Sequence, residues 1–113
     1  MTEMLLNGPE RMRAYGAFVA RRYAAWSNIV WMLGGDDGTG SHAFTPAQRD
    51  VEQALIDGMK SVAGQQSVQF AAEWDSESIG TDQSEFQRHL TLNAAYSHAG
   101  RTAAQTRLSL IHI

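Results

Sequence analysis

The most constraining feature of this 113-residue chain is a continuous apolar run that passes directly into a glycine-rich acidic loop. Residues 29–33, Ile-Val-Trp-Met-Leu, do not alternate with polar residues, which is typical of a strand buried on both faces. The next segment, Gly34-Gly-Asp-Asp-Gly-Thr-Gly-Ser41, cannot continue a regular strand or helix. A strand of this kind needs a parallel sheet covered by helices, so the expected fold class is α/β.

Helices are predicted on both sides of this strand. Asn7-Gly-Pro-Glu10 indicates a helix start with Asn7 or Gly8 as the cap, and this first helix is expected to run to about Ala25. A second helix is expected from Thr45-Pro-Ala-Gln48, which has the form of a capping box with proline at the first helical position. The apolar positions expected to face inward in the first helix are Met12, Tyr15, Val19, Tyr23 and Trp26, and in the second Val51, Leu55, Ile56, Met59 and Val62.

Two more strands are predicted, over residues 67–74 and 90–96, and Thr102 can open another helix. Buried strands separated by helices imply parallel βαβ units. Three parallel strands alone would leave two open edges, so the pattern favours a part of a larger barrel or doubly wound sheet. Residues 108–113 do not continue the helical stripe, and they are interpreted as a non-native tail or, alternatively, a short terminal strand.

Composition excludes several classes of partner. The formal net charge is -3 without a basic run, and the arginines at 11, 13, 21 and 22 are expected on a solvated helix face, which argues against nucleic-acid binding. No apolar stretch approaches the ~18 residues that span a bilayer, so no membrane association is expected. The first residues do not resemble a signal peptide, although a longer parent protein can still be secreted. The chain has no cysteine, which fits any compartment. The sequence therefore predicts neither the compartment nor the oligomeric state.

The loop after the first strand does not match the common ligand-binding motifs. Its glycine spacing approaches that of a phosphate-binding loop, but Ser41-His42 stands where lysine followed by serine or threonine is required. The glycine order of a dinucleotide site and the alternating acids of a calcium loop are also missing. The histidines are not spaced as metal ligands, so we predict neither a metal site nor a cofactor.

Asp36 is the strongest catalytic candidate. It follows a buried strand predicted to be parallel, at the end where ligands and catalytic groups lie in barrels and open α/β sheets. Gly34 and Gly35 permit unusual backbone dihedrals, so the carboxylate can project into a cleft. The alternative is that Asp36 or Asp37 caps a turn, as aspartate often does.

Further candidates follow the later strands. Glu73 lies at the end of the second strand, and the adjacent Trp74 has a ring that can stack on a sugar. Asp75 and Glu77 are expected in a solvated loop. Asn93 and Tyr96 are placed at the end of the third strand, where a buried asparagine must be hydrogen-bonded within the fold or to a ligand.

Several of these segments resemble a known family. Tyr15-Gly-Ala-Phe-Val-Ala-Arg-Arg-Tyr23 and Asn28-Ile-Val-Trp-Met-Leu-Gly-Gly-Asp36 are similar to the apiosidase-like glycoside hydrolases. Leu92-Asn-Ala-Ala-Tyr96 is similar to that family's next-but-one strand, and the resemblance covers about residues 9–100.

The resemblance implies a partial (β/α)8 TIM barrel, with residues 1–107 forming roughly its third helix to sixth strand. It also implies an oligo- or polysaccharide substrate, with Asp36 as the general acid/base of a two-carboxylate mechanism. Substrate-binding roles are then expected for Asp37, Glu73, Trp74, Asn93 and Tyr96. The second carboxylate is expected after the seventh strand, outside this sequence, so no activity is predicted for the isolated chain.

The chain departs from the family at residues 65–88, where Glu73-Trp-Asp75 replaces the histidine that commonly ends the fifth strand. This departure bears on the sugar, for which an apiose- or arabinose-type linkage is one expectation. The alternatives are a carbohydrate-binding barrel without catalysis, since folds persist after chemistry is lost, and a small α/β binding module unrelated to sugars.

Overall fold

A computed structural model describes residues 1–35, 43–62, 68–75 and 78–96. The chain divides into two compact units, which we call the helical unit (Met1–Ile29 and Phe44–Val68) and the strand unit (Val30–Ala43 and Gln69–Ile113). Within the described ranges, no helix combines the length and the apolar character that a membrane crossing requires.

The helical unit contains α1 (Thr2–Arg22) and α2 (Pro46–Lys60). The sequence predicted that a helix begins at this point. In the structure α1 already begins at Thr2, but Gly8, with φ 72° and ψ 170°, interrupts it immediately before Pro9. The predicted start therefore corresponds to a break within a longer helix. The predicted capping box of α2 is also confirmed. The N–H of Thr45 donates to Oε1 of Gln48 over 2.7 Å, and the N–H of Gln48 donates to Oγ1 of Thr45 over 3.3 Å.

The buried face of α1 differs from the predicted one. The structure buries Met12, Gly16 and Ala20, whereas Tyr15 and Tyr23 are exposed. The reason lies in the contact with α2. A Cβ on Gly16 would stand 2.2 Å from the carbonyl oxygen of Leu55, and a Cβ on Gly58 would stand 2.0 Å from that of Arg13. The two helices therefore approach backbone to backbone at Gly16 and Gly58, and a larger side chain cannot occupy these two positions.

The end of α1 is a second correction. The helix ends at Arg22 rather than near Ala25, and Trp26 is 65% exposed rather than part of the core. Trp31, the other tryptophan expected in the core, is partly buried. The arginines of α1 are exposed as predicted, and Arg13 forms a 2.9 Å ion pair with Asp57.

Glu52 is a carboxylic acid buried in α2, only 4% exposed. Burial raises the pKa of Glu52 from 4.5 to about 7, and the positive amino terminus opposes this shift in part. The folded state therefore binds the proton more tightly than the unfolded state does. Stability is greatest below about pH 4.5, decreases as the pH rises through the window up to about 7, and then levels off.

We expect Glu52→Gln to remove most of this pH dependence. Relative to the wild type, the variant should gain about 3 kcal/mol in the free energy of unfolding above pH 7 and little at pH 4. Urea unfolding of both proteins at the two pH values measures the difference. Glu10→Gln, at an exposed position of α1, is the matched control. Parallel pH profiles for the wild type and Glu52→Gln would show that Glu52 is not buried as described.

The strand unit contains one parallel pair, β1 (Val30–Gly34) with β2 (Gln69–Glu73). The register pairs Val30 with Gln69 and Gly34 with Glu73, so both strands end together. A small parallel sheet in a chain that also forms helices confirms an α/β class with the first two predicted strands. The prediction that the first strand is buried on both faces is wrong for the described residues, because Val30 is 40% and Met32 57% exposed. The buried apolar residues of the unit are Leu33, Phe70, Ala71, Ala72, Trp74 and Phe86.

The third predicted strand is wrong in extent and direction. Within 90–96 only β4 (Ala95–Tyr96) is extended, and it pairs antiparallel with β3 (Ser78–Ile79). Between them lie a 3-10 turn (Gly80–Asp82) and a short helix α3 (Ser84–Gln87). Thr91 nevertheless reaches β2, because its N–H donates to the carbonyl oxygen of Phe70 over 2.8 Å. The segment thus contacts β2 without forming the predicted parallel strand.

Candidate active site at the carboxyl end of the parallel strands

Two consecutive glycines end β1 in backbone conformations that other residues rarely adopt. Gly34 has φ 92° and Gly35 has φ 117°. The N–H of Gly35 donates to the carbonyl oxygen of Glu73 over 2.8 Å. The chain leaving β1 is therefore tied to the last residue of β2, at the carboxyl end of the pair.

Gly34 is required here for a second reason, which is space. A Cβ at this position would stand 2.0 Å from the carbonyl oxygen of Glu73 and 2.8 Å from Cε3 of Trp74. A Cβ on Gly35 would meet nothing within 4 Å. The first glycine thus permits a close approach of two backbones, and the second permits only the turn.

Glu73 lies on the less covered face of the strand pair. Side chains alternate along a strand, so Glu73 shares its face with Gln69 and Ala71. Met32 of β1 pairs with Ala71 and is on the same face. On this face Met32 is 57% exposed although Ala71 is buried, while Leu33 and Phe70 on the other face are both buried. The partly buried carboxylate of Glu73 is therefore available at the carboxyl end of the sheet.

Trp74 does not have the role predicted for it. Its ring is 0% exposed, its Nε1–H donates to the carbonyl oxygen of Gly80 over 2.7 Å, and its centroid lies 5.7 Å from that of Phe86. A sugar cannot stack on a ring that is fully enclosed. The indole anchors the turn after β2 instead, which is a structural function.

Asn93 is buried, and its side chain lies beside Gly80, where a Cβ would stand 3.0 Å from Oδ1 of Asn93 and 3.5 Å from the carbonyl oxygen of Ala72. Its Oδ1 accepts the N–H of Thr81 over 3.2 Å, and it lines a cavity beside α3. The backbone of Tyr96 belongs to β4 and pairs with Ser78. Asp36 and Asp37, the two aspartates of the predicted site, lie outside the described residues, as does Glu77.

Sequence reasoning singled out Asn93 but not the cavity that it lines. The volume of this cavity is about 410 Å³, and its lining also includes residues of the 3-10 turn, of α3 and of 88–92. No motif marks the lining residues before Leu92, because serine, threonine and glutamine in a polar segment are normal for a solvated loop. The backbone hydrogen bond between Thr91 and Phe70 holds part of this lining against β2, and a contact between such distant residues leaves no pattern in a single sequence.

Among the residues that the structure describes, no group of three or more acidic, histidine or cysteine side chains is arranged to hold a metal ion. Glu73 is the described carboxylate at the end of β2, beside the double-glycine turn that follows β1.

The fold has a counterpart among solved structures. The crystal structure of a glycoside hydrolase family 5 protein from Bacteroides vulgatus ATCC 8482 matches with a TM-score of 0.59 and 24% sequence identity. The match covers 76% of this chain and 17% of that chain, so the present chain corresponds to a small part of the matched protein. No curated protein matches the sequence. The α/β arrangement thus has the fold of a segment of a glycoside hydrolase.

The family follows from the sequence match. Residues 2–111 match the profile of the apiosidase-like catalytic domain. The chain belongs to this family of glycoside hydrolases, as the motifs at 15–23 and 28–36 predicted.

Proposed function

We propose that this chain is part of a (β/α)8-barrel glycoside hydrolase that cleaves glycosidic bonds by a two-carboxylate mechanism. In this proposal residues 1–107 form roughly the third helix to the sixth strand of the barrel, and residues 108–113 stand outside it. Asp36 is the general acid/base. The nucleophile comes from a part of the protein beyond these residues, after the seventh strand.

The observation that carries the proposal is the double-glycine turn at the end of β1. Gly35 is hydrogen-bonded to the carboxyl-terminal residue of β2, and Asp36 is the next residue along the chain. The proposal puts the carboxylate of Asp36 at this end of the sheet. Catalytic groups of barrel enzymes lie at this end of the strands, and family membership supports the same assignment.

The chemistry requires one protonated and one ionised carboxyl group. The acid donates its proton to the glycosidic oxygen as the bond breaks, while the partner attacks the anomeric carbon or activates a water molecule. Asp36 must therefore retain a proton near the working pH, which a like-charged neighbour favours. Glu73, opposite Gly34 on the adjacent strand, can supply that negative charge.

Glu73 also has a direct role in the proposal. A carboxylate on the open face of the strand pair can accept hydrogen bonds from two sugar hydroxyls, which fixes the ring relative to the acid. Asp37, Asn93 and Tyr96 remain predicted substrate contacts. Trp74 is left out, because its ring is enclosed.

The test is hydrolysis by the whole protein. We expect it to release sugar from apiosides or arabinosides, and the isolated 113-residue chain to release none. Glu73→Gln should raise KM by about ten- to hundredfold, because one charged hydrogen bond to a hydroxyl contributes ~1.5–3 kcal/mol. Glu85→Gln, an exposed glutamate of α3, is the matched control. Absence of glycosidase activity across such substrates would contradict the proposal, and an unchanged KM would remove Glu73 from the site.

A further inference from the structure

Asn7 and Gly8 are the one place in the sequence where an asparagine precedes a glycine, and neither residue has a part in the proposed hydrolysis. The amide carbon of an asparagine side chain can be attacked by the backbone nitrogen of the following residue. A glycine at that place has no Cβ to obstruct the approach. A Cβ on Gly8 would meet nothing within 4 Å, so the space around the pair is open too. The pair is therefore sterically accessible to this attack.

The backbone at this pair is not held as in a regular helix. Gly8 has φ 72° and ψ 170° within α1. Pro9 has no N–H, so the hydrogen bond that a helix would form from residue 9 to the carbonyl oxygen of Leu5 cannot exist. The peptide group between residues 7 and 8 can therefore rotate towards the geometry of attack at a lower cost than in the continuous part of α1.

The side chain of Asn7 is exposed, so water reaches its amide group. Its Nδ2–H donates to the carbonyl oxygen of Glu3 over 2.7 Å, which links the residue to the preceding turn of α1. Because a hydrogen bond at an exposed position exchanges readily with bonds to water, the amide can leave this position at a small cost.

The other two asparagines of the chain lack this combination, and the structure describes both of them. Asn28 is exposed as well, but it precedes Ile29, whose β-branched side chain crowds the backbone nitrogen. Asn93 is buried, and its Oδ1 accepts the N–H of Thr81. Exposure, a glycine neighbour and a break in the helix therefore coincide at Asn7.

We propose that Asn7 is a site of spontaneous deamidation in the folded protein. Hydroxide removes the amide proton of Gly8, and the nitrogen then forms a bond to Cγ of Asn7. The bond from Cγ to Nδ2 breaks, ammonia departs with a proton from water, and a five-membered cyclic imide results. Water opens the imide at either carbonyl, which yields aspartate or isoaspartate. The reaction consumes one water and releases one ammonia, and the protein gains a negative charge at neutral pH.

The product changes the contacts of the first turns of α1. A carboxylate only accepts hydrogen bonds, so it cannot donate to the carbonyl oxygen of Glu3. Isoaspartate also lengthens the main chain by one methylene group. Met1 and Met4, which precede the break, pack against the buried core of the helical unit. Deamidation therefore weakens the attachment of residues 1–7 to this unit.

The experiment follows the mass of each asparagine-containing peptide. The folded 113-residue chain is incubated at mildly acidic and mildly alkaline pH and then digested with trypsin, which cleaves after arginine and lysine. The three asparagines then lie on separate peptides, residues 1–11, 23–49 and 89–101. We expect the first peptide to gain about one dalton, because an amide NH₂ becomes OH, and to do so faster at alkaline pH. When half of it is converted, the other two peptides should be unchanged. Asn7→Gln should prevent the gain, because its longer side chain would have to close a six-membered ring.

Asn7→Asp supplies the aspartate product in every molecule. We expect it to shift the folding equilibrium about two- to tenfold towards the unfolded state, the contribution of one hydrogen bond, as measured by urea unfolding. Asn28→Asp, the same change at an exposed asparagine outside the helices, is the matched control and should shift it little. No gain of mass on the first peptide, or an equal gain on the peptide of Asn28, would overturn the proposal. Equal stability of Asn7→Asp and the wild type would overturn its structural consequence.

Discussion

Replacing Asp36 with asparagine in the whole protein is expected to lower kcat by about 10²- to 10⁴-fold, the usual contribution of general acid catalysis. Asparagine keeps the size of the side chain but has no acidic proton for the departing oxygen. Substrate affinity should change little, because the proton is transferred in the transition state and not in the bound ground state. Steady-state kinetics on an alkyl glycoside, a substrate with a poor leaving group, measures the effect.

Asp37→Asn is the control for this experiment, since it changes the adjacent residue in the same way. As a predicted substrate contact, Asp37 should alter KM more than kcat when it is replaced. If the two variants lose kcat equally, or if Asp36→Asn keeps near-normal turnover, Asp36 is a turn-capping residue and the acid lies elsewhere.

Gly34→Ala should produce the largest loss of stability among substitutions at the carboxyl end of β1 and β2. The new methyl group would stand 2.0 Å from the carbonyl oxygen of Glu73, and the residue would have to hold φ 92°. Backbone at both sites must move, so we expect a loss of about 4 kcal/mol in the free energy of unfolding, at the upper end of single-site effects. Urea unfolding of the 113-residue chain measures it.

Gly35→Ala separates the two causes. This residue has φ 117°, yet a methyl group there meets nothing within 4 Å. Only backbone strain is added, which costs about 1–3 kcal/mol. Equal losses for the two variants would mean that the close approach of Gly34 to β2 does not occur, and that the turn alone requires glycine.

The elements that sequence predicted correctly are the ones set by neighbouring residues. The cap at Thr45 depends on Gln48 three positions later, and the break at Gly8 depends on the following proline. The first parallel strand was predictable from its uninterrupted apolar run, and the second from its valine, phenylalanine and alanine residues. Such signals act within one turn or one strand, so a single sequence contains them.

The elements that sequence did not predict depend on distant contacts. The face of α1 that packs on α2 is set by Gly16 and Gly58, and glycine contributes nothing to a pattern of apolar side chains. Trp74 appeared to be a binding residue by its position after a strand, whereas its partner Gly80 lies across a turn. Residues 90–96 have an apolar pattern suited to a strand. Thr91 instead belongs to a loop, and both its backbone N–H and its hydroxyl are hydrogen-bonded to the backbone of Phe70. The carboxyl end of the parallel strands was therefore predictable to the level of its strands and glycines, and the cavity was not.

The central claim is that Asp36 donates the proton to the leaving group, and its most direct test is how the Asp36→Asn defect depends on that group. We would measure kcat/KM of the wild type and the variant on an alkyl glycoside and on a dinitrophenyl glycoside of the same sugar. A dinitrophenolate departs without protonation, so the account predicts a loss of about 10²-fold or more on the alkyl glycoside and little loss on the activated one. An equal loss on both substrates would contradict it.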